Sequence, residues 1–262
     1  MKKLCFLIFL LPLFGCSNSE TTEQANMISK TNNKPSHIQT EQVKNIDPLN
    51  FKPVNIKTQP ASAMKNTAML NVVLIKQNPE LKYGCEVTSL AMVLNYAGVK
   101  TNKMELYRSI QKDSDPLIRS RGDIIKWGNP NHGFVGDMTG NQAGYAVFDQ
   151  PMIQLINKYL PGRALNLTNQ PFENVLNHVS KGYPVVVWTT GDYRLPDRWE
   201  SWYHGNQLIK TPLDLHAVVL VGYDRQRIYL NDPLSGRKQV PVGKQQFIAS
   251  WKALNCRAVS YK

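Results

Sequence analysis

Cysteine is scarce in this chain, and long apolar runs are almost absent. Four cysteines occur in 262 residues, whereas small secreted domains that depend on disulfides carry a much denser set. One apolar run, residues 4–14, stands out, and it is too short to span a bilayer as a helix. The sequence shows no second candidate span and no internal repeat. These absences exclude a disulfide-stapled miniprotein, a multi-span membrane protein and a repeat array.

The N-terminal apolar run has the composition of an export signal. Two lysines precede it, and a Gly-Cys pair follows it. The tetrad Leu-Phe-Gly-Cys at residues 13–16 resembles the lipobox of bacterial lipoproteins, although Phe14 is bulkier than the residue usual there. The resemblance implies that residues 1–16 are a lipoprotein signal, that Cys16 is diacylated, and that the protein is anchored to the extracytoplasmic face of the cell membrane. An ordinary secretory signal with an incidental cysteine is the alternative.

Acidic residues are outnumbered by basic ones. The chain has 31 Lys and Arg against 19 Asp and Glu, a formal net charge of +12. The natural anionic neighbours of an exported protein are phospholipid headgroups and cell-wall polymers, and these are the partners that the charge suggests. No basic stripe interleaved with aromatic residues is present, so nucleic acid is not expected as a partner. A basic surface that serves only solubility is the open alternative.

Composition divides the mature chain into two parts. Residues 17–70 are rich in Ser, Thr, Asn, Gln and Lys, and Phe51 is their only aromatic residue. Without a sustained apolar period, this segment cannot bury enough surface to offset its ordering entropy, which predicts a flexible polar tether. The remaining 192 residues, 71–262, are sufficient for a single domain with its own core. We expect a monomer.

Apolar periodicity predicts that helices precede strands in this domain. Helices are predicted over residues 85–97, 102–112, 149–160 and 172–181, and strands over residues 71–75, 183–189, 214–223, 227–231 and 257–261. Residues 113–148 are predicted to form a long irregular crossing. Helices first and strands afterwards indicate the α+β class, with the N-terminal helices packed on an antiparallel sheet.

The stretch Tyr83–Leu90, YGCEVTSL, places a cysteine at the start of an amphipathic helix. Apolar residues recur with helical spacing from Val87 onward, and Gly84 allows a sharp turn just before the helix. A thiol in the first turn lies at the positive end of the helix dipole, which predicts a lowered pKa and a reactive thiolate. Cys85 is therefore the candidate nucleophile. A disulfide to Cys256 would abolish that role and is the alternative; otherwise Cys256 is a small buried hydrophobe.

His216 is the candidate base among five histidines, because it opens a strongly apolar strand. The turn that follows is centred near Asp224-Arg225, which places His216 opposite Asp232 to within one residue. Directly opposite residues share a face, with Cβ atoms about 5 Å apart, so Asp232 can hold the imidazole in the useful tautomer. A slip of one residue would turn Asp232 away. A satisfied core histidine and a simple turn at residues 231–233 are the alternatives.

Gln77 is the last candidate site residue, and metal ligands are the last kind of site considered. Gln77 lies eight residues before Cys85, and its amide can donate to an oxyanion beside the backbone N–H of Cys85. His132 and His204 fall in predicted loops, and the sequence shows no Cys/His/Asp cluster with metal-ligand spacing. We expect no metal and no cofactor.

Together these features resemble the C39-like branch of the papain-like cysteine peptidases. The resemblance rests on Gln77, the GCEVTSLAM stretch around Cys85, the HAVVLVGYD strand that begins at His216, and the Asn-Asp-Pro around Asp232. Its relatives are bacteriocin-processing C39 peptidases and exported C39-like proteins of Gram-positive bacteria. It implies a papain-like fold with Cys85 as nucleophile, His216 as general base and acid, Asp232 as the orienting residue and Gln77 in the oxyanion hole.

Two departures from the family pattern leave the substrate open. Bacteriocin-processing members are fused to an exporter and cut leader peptides inside the cell, whereas this chain shows no exporter and is expected to face outside. Residues 191–211, which include Trp199 and Trp202, make a long excursion between core strands. The excursion is either a lid or substrate rim, or a segment whose aromatic residues pack on the domain itself.

The sequence therefore predicts an extracytoplasmic, membrane-anchored cysteine peptidase. It would hydrolyse a peptide or amide bond of a peptide or protein substrate through the triad of Cys85, His216 and Asp232. The first alternative is an amidase or acyl transferase that acts on cell-wall peptides. The second is a non-catalytic lipoprotein that uses the same fold only to bind at the cell surface.

Overall fold

A computed structural model of the chain describes residues 65–262. The predicted lipoprotein signal with Cys16, and the predicted tether as far as residue 64, lie outside the described residues and stay predictions. Within residues 65–262, no helix combines the length and the apolar character that a membrane span requires.

The described residues form five helices and thirteen strands. The helices are α1 (Cys85–Tyr96), α2 (Lys103–Ser109), α3 (Asp149–Tyr159), α4 (Phe172–Ser180) and α5 (Lys244–Ala253). The strands are β1 (Ala68–Met69), β2 (Lys112–Asp113), β3 (Ile118–Ser120), β4 (Asp123–Lys126), β5 (Phe134–Val135), β6 (Ala164–Asn166), β7 (Val185–Thr190), β8 (Trp199–His204), β9 (Gln207–Pro212), β10 (Leu215–Tyr223), β11 (Arg227–Asp232), β12 (Arg237–Gly243) and β13 (Ala258–Tyr261). Four of the helices precede the long strands, which confirms the α+β class predicted from the sequence.

A seven-stranded sheet is the framework of the domain. Its order is β12-β11-β10-β7-β13-β6, with β1 also paired to β10. Every strand pair in this sheet is antiparallel. Strands β7 and β10 are central, and valine dominates both, as expected for residues that pack well on a pleated surface.

Helices cover both faces of the sheet, so the central strands are apolar on both faces. In β10, Ala217, Val219 and Val221 belong to the cluster that contains α1 and α3, whereas Val218 and Leu220 belong to the cluster that contains α4 and α5. Successive side chains of a strand point to opposite faces, so one continuous apolar run serves two cores. The apolar runs predicted as strands at residues 183–189 and 214–223 are therefore strands buried on both faces.

The N-terminal edge of the domain differs from the sequence-based prediction. The strand predicted over residues 71–75 is absent from this part of the structure, and β1 lies instead at Ala68–Met69, within the segment assigned to the tether. The Tyr223 hydroxyl also donates to the Lys65 carbonyl at 2.7 Å. The folded part therefore begins several residues before residue 71. The apolar run at residues 71–75 suggested a strand because it contains buried residues, but Val72 is fully buried without belonging to a strand.

The predicted excursion at residues 191–211 forms most of a second, smaller sheet. Strands β8 and β9 make a hairpin that joins β3 and β4 in the order β3-β4-β8-β9. Trp202 and Ile209 are buried in a separate apolar cluster with Trp127, whereas Trp199 and Tyr203 are exposed. Part of the aromatic content thus packs on the domain, and part faces outward. The sequence analysis missed this hairpin, strand β12 and helix α5. It also missed the short strands β2 to β6, of which β3, β4 and β5 lie within the predicted irregular crossing at residues 113–148.

Candidate active site

Cys85 is the first residue of α1, as predicted, and the preceding turn is sterically tight. A Cβ atom at Gly84 would lie 2.5 Å from Cβ of Leu81. The φ of Gly84 is −105°, which any residue can adopt. Glycine is therefore required here by close approach of the chain to itself, and not by an unusual backbone conformation.

The start of α1 packs against the start of β10. The Ser89 hydroxyl donates to the Ala217 carbonyl at 3.1 Å. The backbone N–H of Ala217 lies close enough to the Cys85 thiol to lower its pKa. Ala217 directly follows His216 in the chain. These contacts bring the candidate nucleophile to the residue next to the candidate base.

The Cys85 thiol is free and nearly buried. Cys85 is 6% exposed, and neither it nor Cys256 takes part in a disulfide, so the alternative of a disulfide between them is wrong. The thiol donates to Oε2 of Glu86 at 3.3 Å. The other carboxyl oxygen of Glu86 accepts from the Val147 N–H at 3.0 Å, and Glu86 is fully buried.

The predicted lowering of the thiol pKa is wrong for this arrangement. Burial raises the pKa of Cys85 well above its ordinary value, and the Glu86 carboxylate raises it further through its negative charge. The Ala217 N–H acts in the opposite direction and is outweighed. Burial also raises the pKa of Glu86 to about 7. In this state the site holds a thiol, because the dipole of the helix is weaker than burial next to an acidic group.

His216 and Asp232 are in direct contact. Nε2 of His216 lies 2.8 Å from Oδ1 of Asp232, and both residues are buried. The register differs from the predicted one: Val219 pairs with Asn231, so Asp232 lies beside residue 218. The turn is centred one residue later than predicted, and a β-bulge between Leu220 and Gly222 then shifts the register by one residue toward the site. The net displacement from the predicted pairing of His216 with Asp232 is two residues. A displacement of two keeps both side chains on one face, so the contact survives as a diagonal one.

The carboxylate of Asp232 is fixed by several donors besides the imidazole. Oδ1 accepts from the backbone N–H groups of Leu234 and Ser235, at 2.8 and 3.3 Å. Oδ2 accepts from the hydroxyls of Ser235 and Tyr193, at 2.6 and 2.7 Å. Burial alone would raise the pKa of Asp232, but the hydrogen bonds from His216, Ser235 and Tyr193 outweigh it and hold that pKa well below its usual range. Asp232 is therefore ionised at neutral pH.

The candidate nucleophile and the candidate base have different hydrogen-bond partners. Among the described residues, no hydrogen bond links the Cys85 thiol to His216, because the thiol is turned toward Glu86. Asp232 engages Nε2 of the imidazole, which leaves Nδ1 as the ring nitrogen for the thiol. The structure thus assembles the His216–Asp232 pair and packs α1, the helix that begins with Cys85, against Ala217, the residue after His216.

Gln77 connects the loop before α1 to the end of β11. Its side chain is buried, and Nε2 donates to the Lys82 carbonyl at 2.8 Å. Its backbone N–H donates to the Pro233 carbonyl at 2.9 Å. Lys82 lies three residues before Cys85, and Pro233 directly follows Asp232. One amide N–H of Gln77 is therefore engaged in holding the site together, and the second is the one that the predicted oxyanion role would use.

Three residues at the site were not predicted from the sequence. Glu86 lies in the first turn of a helix, where acidic residues are common, so nothing in the sequence indicates that it is buried. Tyr193 lies in the excursion and carries no motif. Ser235 follows Asp232 by three residues, the spacing of an Asx-type turn, and this signal could have been found.

The fold and these positions identify the family. The family model described as "Peptidase_C39 like family" matches residues 69–259, nearly all of the described region. The chain belongs to this family of C39-like peptidases. The resemblance predicted from the sequence is thereby confirmed.

Relatives are similar over the same region. Uncharacterized protein YvpB of Bacillus subtilis (strain 168) is 39% identical over 192 residues, which cover 72% of this chain and 74% of that protein. A crystal structure from Bacillus anthracis, of a presumed C39-like peptidase, is 39% identical with a TM-score of 0.69, and the match covers 76% of this chain and 98% of that one. A cysteine protease from Carica candamarcensis, solved with E-64, matches at 11% identity and a TM-score of 0.37 over 76% of this chain and 98% of that one. The fold is that of the C39-like cysteine peptidases.

Replacement of Glu86 by glutamine should make Cys85 more reactive. The amide keeps an acceptor for the Val147 N–H but removes the negative charge beside the sulfur, so the pKa of the thiol should fall. The measurement is the rate of iodoacetamide alkylation of the Cys85-containing peptide as a function of pH, followed by mass spectrometry. Between about pH 7, above which Glu86 is ionised, and the midpoint, the variant should react about ten times faster than the wild type.

The matched control is Glu173→Gln, which removes an exposed carboxylate from the first turn of α4. Its alkylation profile should coincide with that of the wild type. If Glu86→Gln leaves the midpoint unchanged or moves it to higher pH, the carboxylate does not hold the thiol in its protonated form.

Proposed function

We propose that this protein is an extracytoplasmic, membrane-anchored cysteine peptidase that hydrolyses a peptide or amide bond through Cys85, His216 and Asp232. The observation that carries the proposal is the buried contact of 2.8 Å between His216 and Asp232. It lies one residue from Ala217, which contacts the first turn of the cysteine helix. Membership of the C39-like peptidase family supports the reaction class.

The first step is a change of partner for the thiol. The Cys85 hydrogen leaves Glu86 and is donated to Nδ1 of His216, while Nε2 stays hydrogen-bonded to Asp232. The imidazole takes the proton, and the thiolate attacks the carbonyl carbon of the scissile bond. The ionised Asp232 stabilises the imidazolium that forms. Because the resting thiol has a raised pKa, this proton transfer accompanies substrate binding and does not precede it.

The later steps restore the starting protonation states of Cys85 and His216, with water supplying the proton that leaves with the amine. Collapse of the tetrahedral intermediate breaks the C–N bond, and His216 protonates the departing amine, which leaves a thioester on Cys85. His216 then takes a proton from water, the hydroxide attacks the thioester, and the acid product and the thiol are released. The backbone N–H of Cys85 and the second amide N–H of Gln77 are the donors that would stabilise the oxyanion.

Glu86 is a positioning residue in this scheme. It holds the thiol away from His216, and its bond to the Val147 N–H ties the segment before α3 to the helix start. When Glu86 is protonated, its carboxyl group no longer carries the negative charge that would repel a thiolate at Cys85. Glu86 therefore favours a protonated, unreactive cysteine until substrate is bound.

The direct test is labelling and turnover with the full-length protein in detergent. An electrophilic peptide probe should modify Cys85 in the wild type and give no modification of Cys85→Ala. His216→Ala should reduce the labelling rate by about 100-fold or more, because proton abstraction is lost. Cys256→Ser is the matched control and should label like the wild type. Unstructured protein and purified wall peptides, supplied as separate substrates, distinguish a general peptidase from a wall-peptide amidase or transferase.

Two results would contradict the peptidase proposal. Equal labelling of wild type and His216→Ala would show that the imidazole does not activate the thiol. Labelling of Cys85 without turnover of either substrate class would favour the non-catalytic surface lipoprotein.

The anchoring part of the proposal rests on Cys16 and has its own test. Two acyl chains on one cysteine suffice for stable membrane attachment, at about 0.8 kcal/mol per buried methylene. We expect Cys16→Ser to move the protein from the membrane fraction to the medium or to leave it unprocessed, whereas Cys5→Ser, within the apolar run, should not. An unmodified N-terminus on the membrane-bound wild type, identified by mass spectrometry, would disprove lipidation.

A further inference from the structure

We propose that Asp113, Asp115, His132 and His204 form a binding site for a divalent transition-metal ion, with Zn²⁺ the best match. The site is separate from the cysteine site and lies between the small sheet and the loop that precedes it. Its ligands come from the end of β2, the loop after β2, the turn before β5 and the end of β8. The sequence analysis expected no metal because these residues are far apart in the chain and only the fold brings them together.

The donor atoms are at the separations that a shared ion requires. Donor atoms of Asp113, His132 and His204 all lie within 4.8 Å of one another. Nε2 of His204 is 3.3 Å from Oδ2 of Asp113 and 3.3 Å from Oδ2 of Asp115. A tetrahedral zinc ion with bonds of 2.0–2.1 Å holds its ligand atoms roughly 3.4 Å apart. Nδ1 of His132 is 3.9 Å from Oδ2 of Asp113, and its largely exposed ring is free to close that difference.

Asp113 is held in place before any ion binds. Its side chain is 7% exposed, and its two oxygens accept from the backbone N–H groups of Asp115 and Asn129, each at 3.0 Å. A Cβ atom at Gly128 would lie 2.9 Å from Oδ1 of Asp113, so the chain passes close to the carboxylate. The pre-organised carboxylate removes much of the entropic cost of binding.

The two carboxylates of the cluster also favour a bound cation, because they have no Lys or Arg partner in the described part of the chain. Among the described residues, Asp113 has no Lys or Arg within ion-pair distance, and its charged partners are His132 and His204. The same is true of Asp115, whose only such partner is His204. The two imidazoles lie edge to face with centroids 5.0 Å apart, close enough for both rings to reach one ion. One divalent ion with two neutral imidazoles and two carboxylates satisfies all four groups.

The donor set selects the class of metal. Imidazole nitrogen suits Zn²⁺ and its neighbours in the first transition row, whereas Mg²⁺ and Ca²⁺ prefer sites built entirely from oxygen. Bound metal would fasten the β8–β9 hairpin to the segment that contains β2 and β5. The hairpin tip already has one such tie, from the Asn129 side chain to Gln207 at 3.0 Å. The ion would therefore stabilise the small sheet.

The experiment is a Zn²⁺ titration of the chelator-treated full-length chain in detergent, in competition with a chromophoric chelator. A Cys85→Ala background removes the proposed catalytic thiol as a competing ligand. We expect one equivalent of tight binding. His132→Ala and Asp115→Asn, which change exposed side chains, should each weaken it at least about tenfold, a loss that even an outer-shell partner can cause. His204→Ala should weaken it further, and Asp197→Asn, an exposed carboxylate 87% accessible to solvent, should not change it.

Two further measurements separate this site from the thiols and from misfolding. Co²⁺ in place of Zn²⁺ should show d–d absorption without a thiolate charge-transfer band. Zn²⁺ should raise the Tm of the Cys85→Ala protein but not that of its His132→Ala/His204→Ala derivative, while circular dichroism in chelator stays the same. Binding that survives His132→Ala and His204→Ala, a thiolate band, or no stoichiometric binding at all would overturn the proposal and leave the cluster as a set of ion pairs.

Discussion

The contact between the first turn of α1 and the first residues of β10 is the constraint on which the candidate site depends. It brings the helix that begins with Cys85, in the N-terminal half of the domain, to the residue next to His216, in the C-terminal half. Ala217 makes the contact possible, because its small side chain lets the helix approach the strand closely enough for the Ser89 hydroxyl to reach its carbonyl at 3.1 Å. Gly84 allows a similarly close approach at the start of α1, because a side chain at residue 84 would overlap Leu81. Alanine at residue 217 and glycine at residue 84 therefore set how closely the helix approaches the strand, although neither residue carries a reactive group.

A buried acid beside the nucleophile is the least expected feature of the site, and it has a cost in stability. Burial raises the pKa of Glu86 from 4.5 to about 7. The native state therefore holds its proton more tightly than the unfolded state, so stability attributable to Glu86 is fully present below pH 4.5 and is lost as pH rises through 7. Asp232 behaves in the opposite way: its lowered pKa contributes stability that is present above its ordinary pKa and is lost on acidification. One carboxyl group gains its charge only near pH 7, whereas the other is already charged well below that pH, so burial and hydrogen bonding give the same chemical group two different behaviours.

The sequence predicted most of the framework because its signals are local. Helical spacing after Val87 and the β-branched runs of β7 and β10 depend on neighbouring residues alone, so their elements were predicted to within a few residues. The contact between His216 and Asp232 was predicted from an incorrect register, and it survived only because the displacement was even. The burial of Glu86 and the convergence of Asp113 with His204 depend on the complete fold, and for that reason no pattern in the sequence indicated them. The thiol pKa was wrong for the same reason: a helix dipole is visible in a sequence, and desolvation is not.

The central claim is that the thiol of Cys85 and the imidazole of His216 meet when the site is engaged. The measurement that tests it most directly is a crystal structure of the protein after Cys85 has reacted with a peptide electrophile. The account predicts that the sulfur has turned away from Glu86, with Nδ1 of His216 within hydrogen-bond distance of the sulfur or of the attached group. Nε2 of His216 should still be bonded to Asp232. An adduct in which the imidazole stays remote from the sulfur, with Glu86 still its neighbour, would contradict the account.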